Sequence, residues 1–254
     1  MTSAPNIAPH TALSILRGSL ALAYLVIGGL AASIAVVPLV IFGGKRNNAQ
    51  HLVERLWAGG VLKIAGIQVE VRGRKHLPTT GCVLAANHRS NADVLSIMGY
   101  AANQARFIAK AELRWVFFIS IGMSVTGHIF VKRGQRKSGG RALGEAAKEL
   151  QKGAWVLLFP EGTRSKGDDS LPWKSGAFRL AIDAKVPVVP TVIHHARRLW
   201  PSKSLLPRPG VLVVEFLEPV STEGLVAKQH TTVRNTVRDL VIERHNQGLV
   251  SEDD

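Results

Sequence analysis

The hydrophobic pattern begins with a long uncharged segment, residues 18–44, in which most positions are apolar. As a helix, these 27 residues would extend about 40 Å, enough to cross a bilayer core of about 30 Å. Gly28, Gly29 and Pro38 interrupt the pattern, so a kinked or re-entrant element competes with a straight span. A cleaved signal peptide is a third alternative because residues 33–35 (Ser-Ile-Ala) resemble a cleavage site, although the apolar segment is longer than a signal core.

The next segment, residues 47–66, carries apolar side chains at helical spacing and is predicted to be an amphipathic helix. The apolar positions are Leu52, Val53, Leu56, Trp57, Val61 and Leu62. This apolar stripe either packs on the rest of the protein or lies in a membrane interface. Lys45, Arg46 and Arg55 follow the uncharged segment, whereas Arg17 alone precedes it, which predicts that the C-terminal bulk faces the cytoplasm.

From residue 68 onward, short apolar runs alternate with helical patterns. The predicted strands are residues 68–71, 82–86, 106–109, 129–132, 155–159, 188–193 and 211–216. One helix is predicted between the strand that ends at Lys132 and the strand that begins at Trp155, and it ends at Gly153. Another helix is predicted near the C-terminus. This alternation indicates an α/β layered domain with a largely buried sheet. The single cysteine, Cys82, lies in a predicted buried strand and is expected to be an inert core thiol.

Charge narrows the choice of partners. The chain has 32 Lys and Arg against 18 Asp and Glu, a net charge of +14 with histidine neutral. Such an excess attracts nucleic acid, an anionic membrane, an acidic carrier protein or a phosphate-bearing substrate. An aromatic content of 6% and the apolar N-terminal segment count against nucleic acid, which we do not expect as a partner.

The first chemical candidate is Asn87-His88-Arg89-Ser90-Asn91-Ala92-Asp93, which follows an apolar strand. If a helix begins near Ser90 or Asn91, Asp93 falls in its first turn and its carboxylate can turn back toward His88. The carboxylate would then hold Nδ1–H and leave Nε2 as a general base. The nucleophile could come with the substrate, as an alcohol. On this spacing alone, a helix-capping aspartate beside a surface histidine is the competing interpretation.

Two further clusters follow apolar strands. In Phe159-Pro160-Glu161-Gly162-Thr163-Arg164, Gly162 lets backbone N–H groups approach a ligand and Arg164 offers a planar fork for phosphate. The run Gly127-His128-Ile129-Phe130-Val131-Lys132-Arg133 can aim a cation at the sheet edge where His88 and Arg164 emerge. The alternative for the first cluster is a tight turn with one solvated arginine. The alternative for the second cluster is an ordinary basic loop.

Four motifs occur in order: Asn87-His88-x4-Asp93, Gly127-x-Ile129-Phe130-Val131-x-Arg133, Phe159-Pro160-Glu161-Gly162-Thr163-Arg164 and Val186-Pro187-Val188-Val189-Pro190. Together they resemble the four acyltransferase blocks of the glycerolipid acyltransferase family, and most of all those of the bacterial 1-acyl-glycerol-3-phosphate acyltransferases. The segment Leu171-Pro172-Trp173-Lys174-Ser175-Gly176-Ala177-Phe178 also resembles the sequence after the third block. The resemblance extends over about residues 61–216.

The resemblance implies an α/β fold, a mixed sheet flanked by helices, over residues 67–254, preceded by an N-terminal membrane-embedded helical element over residues 1–66. It implies an O-acyltransferase of phospholipid biosynthesis that transfers a fatty acyl group from an acyl thioester to the free hydroxyl of 1-acyl-glycerol 3-phosphate, giving phosphatidate. The donor would be acyl-coenzyme A or acyl carrier protein. Another acceptor, such as lyso-ornithine lipid, glycerol 3-phosphate or another lysophospholipid, remains an alternative. Neither a cofactor nor a metal is expected.

The same resemblance assigns the residues. His88 would deprotonate the acceptor hydroxyl, and Asp93 would orient it. The glycerol-phosphate site would be lined by Arg133, Glu161, Gly162, Thr163 and Arg164. Pro190 would shape the wall of the acyl-chain pocket. For His194 and His195 we expect a core or surface role, because no third metal ligand lies at suitable spacing. The expected partners are the lipid bilayer, a lysophospholipid and the acyl donor, with the enzyme at the inner (cytoplasmic) membrane and its catalytic domain facing the cytoplasm.

Overall fold

The centre of the protein is a seven-stranded sheet. The computed structural model describes residues 11–42, 46–101, 105–132, 134–164 and 171–248. The strands are β1 (Ile67–Arg72), β2 (Val83–Ala86), β3 (Ala105–Lys110), β4 (Ile129–Val131), β5 (Trp155–Leu158), β6 (Val188–His194) and β7 (Gly210–Phe216). All seven predicted strands are confirmed, and each end lies within one residue of its predicted position.

The strand order is β1-β7-β6-β2-β5-β3-β4. Among the described strands, β6 and β7 pair antiparallel and the other neighbouring pairs are parallel, so the sheet is mixed. Five adjacent strands, β6, β2, β5, β3 and β4, therefore run in the same direction. Their carboxyl ends meet at one edge, where ligands of α/β proteins usually bind.

Helices cover both faces of the sheet, as predicted. They are α1 (Ala12–Phe42), α2 (Arg46–Ile64), α3 (Ala92–Ser96), α4 (Phe117–Val125), α5 (Arg136–Gln151), α6 (Gly176–Ala184), α7 (Ala196–Leu199) and α8 (His230–Gln247). Shorter turns are the π-helical Ile97–Ala101 and the 3-10 helices Arg74–His76, Ala111–Trp115 and Ala227–Gln229. Successive β2 residues point to opposite faces: Leu84 packs with the α2 side and Val83 with the α5, α6 and α8 side. Burial on both faces explains why the strands read as continuous apolar runs.

Helix α1 is continuous, so Gly28 and Gly29 do not break it. They allow α1 and α2 to lie close together instead. A Cβ atom at Gly29 would lie 3.2 Å from Nε1 of Trp57, and one at Gly60 would lie 2.7 Å from Cε1 of Tyr24. These small residues therefore serve the contact between two helices rather than a bend in one.

By length and composition, α1 is able to cross a membrane. The segment Ala12–Leu39 has 28 residues and a mean hydropathy of 2.4. Of its apolar stretch, 17% is buried inside the protein. A helix from the core of a globular domain would bury far more of its apolar surface.

Helix α2 packs on the rest of the protein with part of its apolar stripe, and its placement in a membrane interface stays a prediction. Its C-terminal half, including Ala58 and Leu62, is buried in the same core as the sheet. In its N-terminal half, Leu52 and Leu56 are 53% and 61% exposed. The domain boundary at residue 66 stays a prediction, and the hydrophobic core is continuous across it.

A buried hydrogen bond also joins α2 to the sheet. Nε2 of His128 donates to Oε1 of Glu54 in α2 over 2.7 Å, and both side chains are buried. The opposite ring nitrogen of His128 accepts a hydrogen bond from the backbone N–H of Phe107 in β3 at 3.3 Å. The ring of His128 lies 4.0 Å from that of Phe107. Helix α2 is thus connected through one imidazole to the strand beside it.

We predict opposite effects for two glycine substitutions. A Cβ atom at Gly99 would lie 2.6 Å from the backbone nitrogen of Gly59, so Gly99→Ala should lower the free energy of unfolding by about 1–3 kcal/mol. Gly144 is exposed in α5, and a Cβ atom there would have nothing within 4 Å. Gly144→Ala should raise stability by up to about 1 kcal/mol. Denaturant unfolding followed by circular dichroism would compare them, and equal stabilities would contradict the prediction.

The second prediction concerns Glu215 of β7. Its side chain connects α8 to the sheet through hydrogen bonds. Its carboxylate accepts Nε–H of Arg244 at 2.9 and 3.0 Å and Nε2–H of His194 at 3.1 Å. Burial raises the pKa of Glu215, but the bonds from His194 and Arg244 outweigh burial and hold the pKa below its ordinary value. A lowered pKa in the folded state contributes stability above the ordinary carboxyl range and loses it as the pH falls through the folded pKa.

Glu215→Gln should therefore lower the free energy of unfolding at neutral pH by about 1–3 kcal/mol. The difference from the wild type should shrink as the pH is lowered below the ordinary glutamate pKa of about 4.3. Urea unfolding at a series of pH values measures both. A difference that stays constant across that range would show that the carboxylate charge has no part in the effect.

Candidate active site

The predicted site residues that the structure describes converge on the shared carboxyl edge of the sheet, with one exception. His88 follows β2, Arg164 follows β5 and Lys132 follows β4, as the interpretation of strand ends predicted. These three residues line an open cavity of about 980 Å³. Arg133 lies outside the described residues, so its predicted role stays a prediction. The exception is Pro190.

His88 and Asp93 form a buried pair. Nδ1 of His88 lies 2.8 Å from Oδ2 of Asp93, which is in the first turn of α3 as predicted. The backbone N–H groups of Arg89 and Ser90 donate to the same oxygen at 2.7 and 2.8 Å. Because the carboxylate oxygen accepts, Nδ1 carries the proton and Nε2 has the free lone pair of a base. The competing interpretation, a surface histidine, is wrong: His88 is 5% and Asp93 1% exposed.

The backbone on either side of His88 is held by side chains. The amide of Asn87 accepts from the backbone N–H of Ile193 at 2.8 Å and donates to its carbonyl at 3.0 Å, so that it joins the end of β2 to β6. Ser90 Oγ donates to the carbonyl of Trp200 at 2.8 Å. The motif around His88 therefore contains structural residues whose partners lie about 110 positions away in the chain, which no local pattern indicates.

The imidazole ring is also fixed from its face. Phe159 stacks on His88 with the ring centroids 4.0 Å apart and the planes at 19°. Phe159 precedes Pro160 in the third motif, so the loops after β2 and β5 meet at the base. The stack restricts rotation of the imidazole and shields one face of it from water.

Glu161 lies on the backbone side of His88. Its Oε1 accepts the N–H of His88 at 3.1 Å and its Oε2 accepts that of Leu171 at 3.4 Å. Burial raises the pKa of Glu161, although the two N–H bonds act in the opposite direction. The structure thus gives Glu161 a bracing contact to the base, and its predicted contact with glycerol phosphate stays a prediction.

Gly162, Thr163 and Arg164 line the cavity, as predicted for a substrate site. Gly162 has φ +72°, and a Cβ atom there would lie 2.5 Å from Nζ of Lys174. A side chain at this position would be strained and would displace the lysine. Gly162 therefore permits the close approach of a cation, in addition to the backbone approach predicted from the sequence.

The cavity is cationic on one part of its wall. Its basic residues are Lys110, Lys132, Arg164, Lys174 and Lys203, whereas no Asp or Glu lines it among the residues that the structure describes. Such a wall attracts an anionic group. Lys110, Lys174 and Lys203 had no predicted role in the site. Lys110 could have been found, because it ends β3 as Lys132 follows β4, but Lys203 lies in a loop with no pattern.

Another part of the wall is apolar and suits a hydrocarbon chain. It includes Val94, Phe107, Ile108, Leu113, Val131, Leu143, Leu157 and Leu158. Pro190 is elsewhere: it is buried in the middle of β6, paired with Ala85 of β2, and lies apart from the described lining of the cavity. The placement gives no support to the prediction that Pro190 forms the acyl-chain wall.

The remaining candidates have structural positions. His194 is 2% exposed and bonded to Glu215, which fits the expected core role. His195 lies directly before α7 with φ 62°. Its pKa is lowered mainly by burial and to a smaller extent by the neighbouring His194. Cys82 is fully buried, and burial raises the pKa of its thiol, in accord with an inert core residue. Within the described ranges, no group of three or more metal-ligating side chains is found.

These features define an α/β protein in which a buried carboxylate orients a histidine beside a cavity lined by several cations. Comparison with known proteins identifies the family. The acyltransferase family model matches residues 68–194. The chain belongs to this acyltransferase family, so the resemblance seen in the four motifs is confirmed.

Similar proteins include enzymes of mammals and bacteria. The 1-acyl-sn-glycerol-3-phosphate acyltransferase alpha of Mus musculus is 34% identical over 209 residues, which cover 81% of this chain and 73% of the mouse protein. The 1-acyl-sn-glycerol-3-phosphate acyltransferase of Pseudomonas aeruginosa is 33% identical over 63% of this chain and 62% of its own. The crystal structure of the 1-acyl-sn-glycerophosphate acyltransferase from Thermotoga maritima matches with a TM-score of 0.73 and 26% identity, covering 94% of this chain and 100% of that one.

We predict that Asp93→Asn preserves the fold and lowers acyl transfer by about 10²- to 10⁴-fold. An asparagine oxygen can still accept the backbone N–H bonds, but a neutral amide cannot stabilise the imidazolium that forms when His88 takes a proton. Acyl-transfer kinetics across a pH series, with unfolding curves for both proteins, would check this. Near-normal turnover at neutral pH would rule out the orienting role.

Proposed function

We propose that this protein transfers a fatty acyl group from an acyl thioester to the free hydroxyl of 1-acyl-glycerol 3-phosphate, giving phosphatidate for phospholipid biosynthesis. The main supporting observation is the buried His88–Asp93 pair at a cavity that combines cations with an apolar wall. The acceptor has the same combination of a phosphate and a hydrocarbon tail. The activity named for the mouse, Pseudomonas and Thermotoga relatives supports the same acceptor.

In the proposed reaction, Nε2 of His88 removes the proton from the acceptor hydroxyl as the oxygen attacks the thioester carbonyl carbon. The C–O bond of the new ester forms, the C–S bond breaks, and the imidazolium returns its proton to the departing thiolate. Asp93 stabilises the imidazolium during the interval. The donor is the thioester of coenzyme A or of acyl carrier protein, and the proposed chemistry uses neither a cofactor nor a metal.

The cavity offers separate places for the two parts of the acceptor. Its phosphate would meet Arg164, Lys132 and Lys174, which line the same cavity as His88. Its tail, or the transferred acyl chain, would lie on the apolar wall beside Phe107 and Leu157. Arg133, Glu161, Gly162 and Thr163 remain proposed members of the glycerol-phosphate site.

We place the enzyme at the inner, cytoplasmic membrane, with the catalytic domain facing the cytoplasm. Helix α1 is long and apolar enough to enter or cross a bilayer. The excess of basic residues after the uncharged segment favours a cytoplasmic C-terminal bulk. A membrane location would place the active site where lysophospholipids reside.

His88→Ala should lower phosphatidate formation by at least ~100-fold, as expected for loss of a general base. The measurement is acyl transfer from acyl-coenzyme A and from acyl carrier protein to lysophosphatidate, with detergent-solubilised proteins matched in amount and folding. His230→Ala is the matched control, because His230 begins α8, away from the described lining of the cavity, and should retain activity.

Turnover that survives in His88→Ala would remove His88 from the mechanism. Absence of turnover in the wild type would contradict the acceptor. Lyso-ornithine lipid, glycerol 3-phosphate and other lysophospholipids would then be assayed with the same pair of variants.

A further inference from the structure

A short exposed segment, here termed the aromatic turn (residues 113–117), follows β3. Trp115 is 87% exposed and Phe117 is 67% exposed, and Val116 between them is 43% exposed. Single apolar side chains are common on protein surfaces, but a contiguous group that includes a nearly fully exposed tryptophan marks an interaction site.

The aromatic turn is part of the rim of the active-site cavity. Leu113 and Lys110, at and just before its start, both line the cavity. The guanidinium of Arg114 lies over the ring of Phe130 in β4, 4.9 Å from its centroid. This contact holds the turn against the sheet. Trp115 therefore projects into solvent from a fixed position beside the cavity opening.

The aromatic turn also adjoins the apolar N-terminal helix. It leads into α4, which packs on α1 so closely that a Cβ atom at Gly122 would lie 2.8 Å from Cα of Ser33. Elsewhere on α1, Val26 and Ile27 are 68% and 70% exposed, and Phe42 at its end is 85% exposed. The exposed aromatic rings thus lie just before and at the start of a helix that packs on α1, a segment with no charged residue between positions 18 and 44.

The lysines at the same rim of the cavity indicate which kind of partner the aromatic turn binds. Lys110 and Lys132 are exposed and line the cavity opening. Tryptophan together with lysine is the side-chain combination favoured at a membrane–water interface, where rings lie at headgroup level and ammonium groups meet lipid phosphates. A protein partner would also cover aromatic rings, but it would not account for their position next to the helix that packs on the uncharged α1.

We propose that the aromatic turn inserts into the headgroup layer of an anionic bilayer and holds the cavity opening against the lipid surface. The inference rests on the proposed membrane setting of the enzyme and adds the surface by which the catalytic domain itself meets the membrane. A lysophospholipid would then enter the cavity directly from the lipid layer, past Trp115 and Leu113.

Site-directed labelling tests the insertion without relying on turnover. Cys82 is the single cysteine and is fully buried, so a thiol-reactive bimane dye will label only an introduced cysteine. Trp115→Cys is compared with Val226→Cys, a 60% exposed position near α6 and α8, on the opposite face of the sheet from α1. The labelled proteins are reconstituted into phosphatidylcholine–phosphatidylglycerol vesicles, with or without bromine atoms on the acyl chains.

Brominated lipid should quench the dye at position 115 at least about threefold more than the dye at position 226, as expected for a ring at headgroup depth. Equal quenching at the two positions, or none at position 115, would overturn the proposal. Protection of position 115 in detergent without vesicles, accompanied by a dimer in sedimentation, would also overturn it and assign the surface to a second copy.

A kinetic comparison tests the consequence for substrate entry. Trp115→Ser should lower kcat/KM for lysophosphatidate presented in vesicles by about tenfold and leave that for a short-chain, monomerically dispersed lysophosphatidate nearly unchanged. Equal losses on both substrates would contradict the docking role. If the wild type acylates no lysophosphatidate at all, the proposed function fails, whereas the quenching measurement still decides the insertion.

Discussion

Oδ2 of Asp93 is the acceptor around which the active site is arranged. It takes hydrogen bonds from the ring of His88 and from the backbone N–H groups of Arg89 and Ser90. A carboxylate that is 1% exposed would be costly to bury without such donors. Because two of its donors are backbone groups, the chain after β2 must curl around the carboxylate before α3 can begin. The direction of the histidine ring follows from that curl.

A second carboxylate, that of Glu161, stabilises the same loop through its backbone. Glu161 accepts the backbone N–H of His88, so the base is held through its ring by one acid and through its main chain by another. The two acids lie on the segments that follow two adjacent strands, β2 and β5, which pair in parallel. Parallel pairing brings both ends to one edge, and this is why a site assembled from residues 73 positions apart can be rigid.

The elements of the fold were predictable to a greater extent than their arrangement. Strands buried on both faces are continuous apolar runs, so all seven could be located. The order of the strands, with β7 between β1 and β6, parallel to the first and antiparallel to the second, depends on long connections that leave no local pattern. The glycines of α1 were misleading for a similar reason, because the close contact they permit involves a second helix.

Some residues of the candidate site were likewise predictable from the sequence and others were not. His88 and Asp93 were predictable because their contact spans five positions and one helical turn. Arg164 and Lys132 followed from strand ends, but Lys203 reaches the cavity only through tertiary structure. The sequence identified Glu161 but not its contact with the backbone of His88. Pro190 shows the converse, since its position in a motif did not indicate that it is buried within β6.

The bond between Glu54 and His128 bears on how far the N-terminal helices of this chain can change independently of the sheet. One imidazole joins the N-terminal helices to β3, whose Phe107 lines the cavity. An N-terminal segment recruited from another protein would have to supply an acid that reaches His128, together with small residues such as Gly29 and Gly60 where its own two helices meet. Gene fusion can readily exchange a tethered anchor. Here the anchor and the catalytic core are expected to diverge together and to be inherited as a single unit.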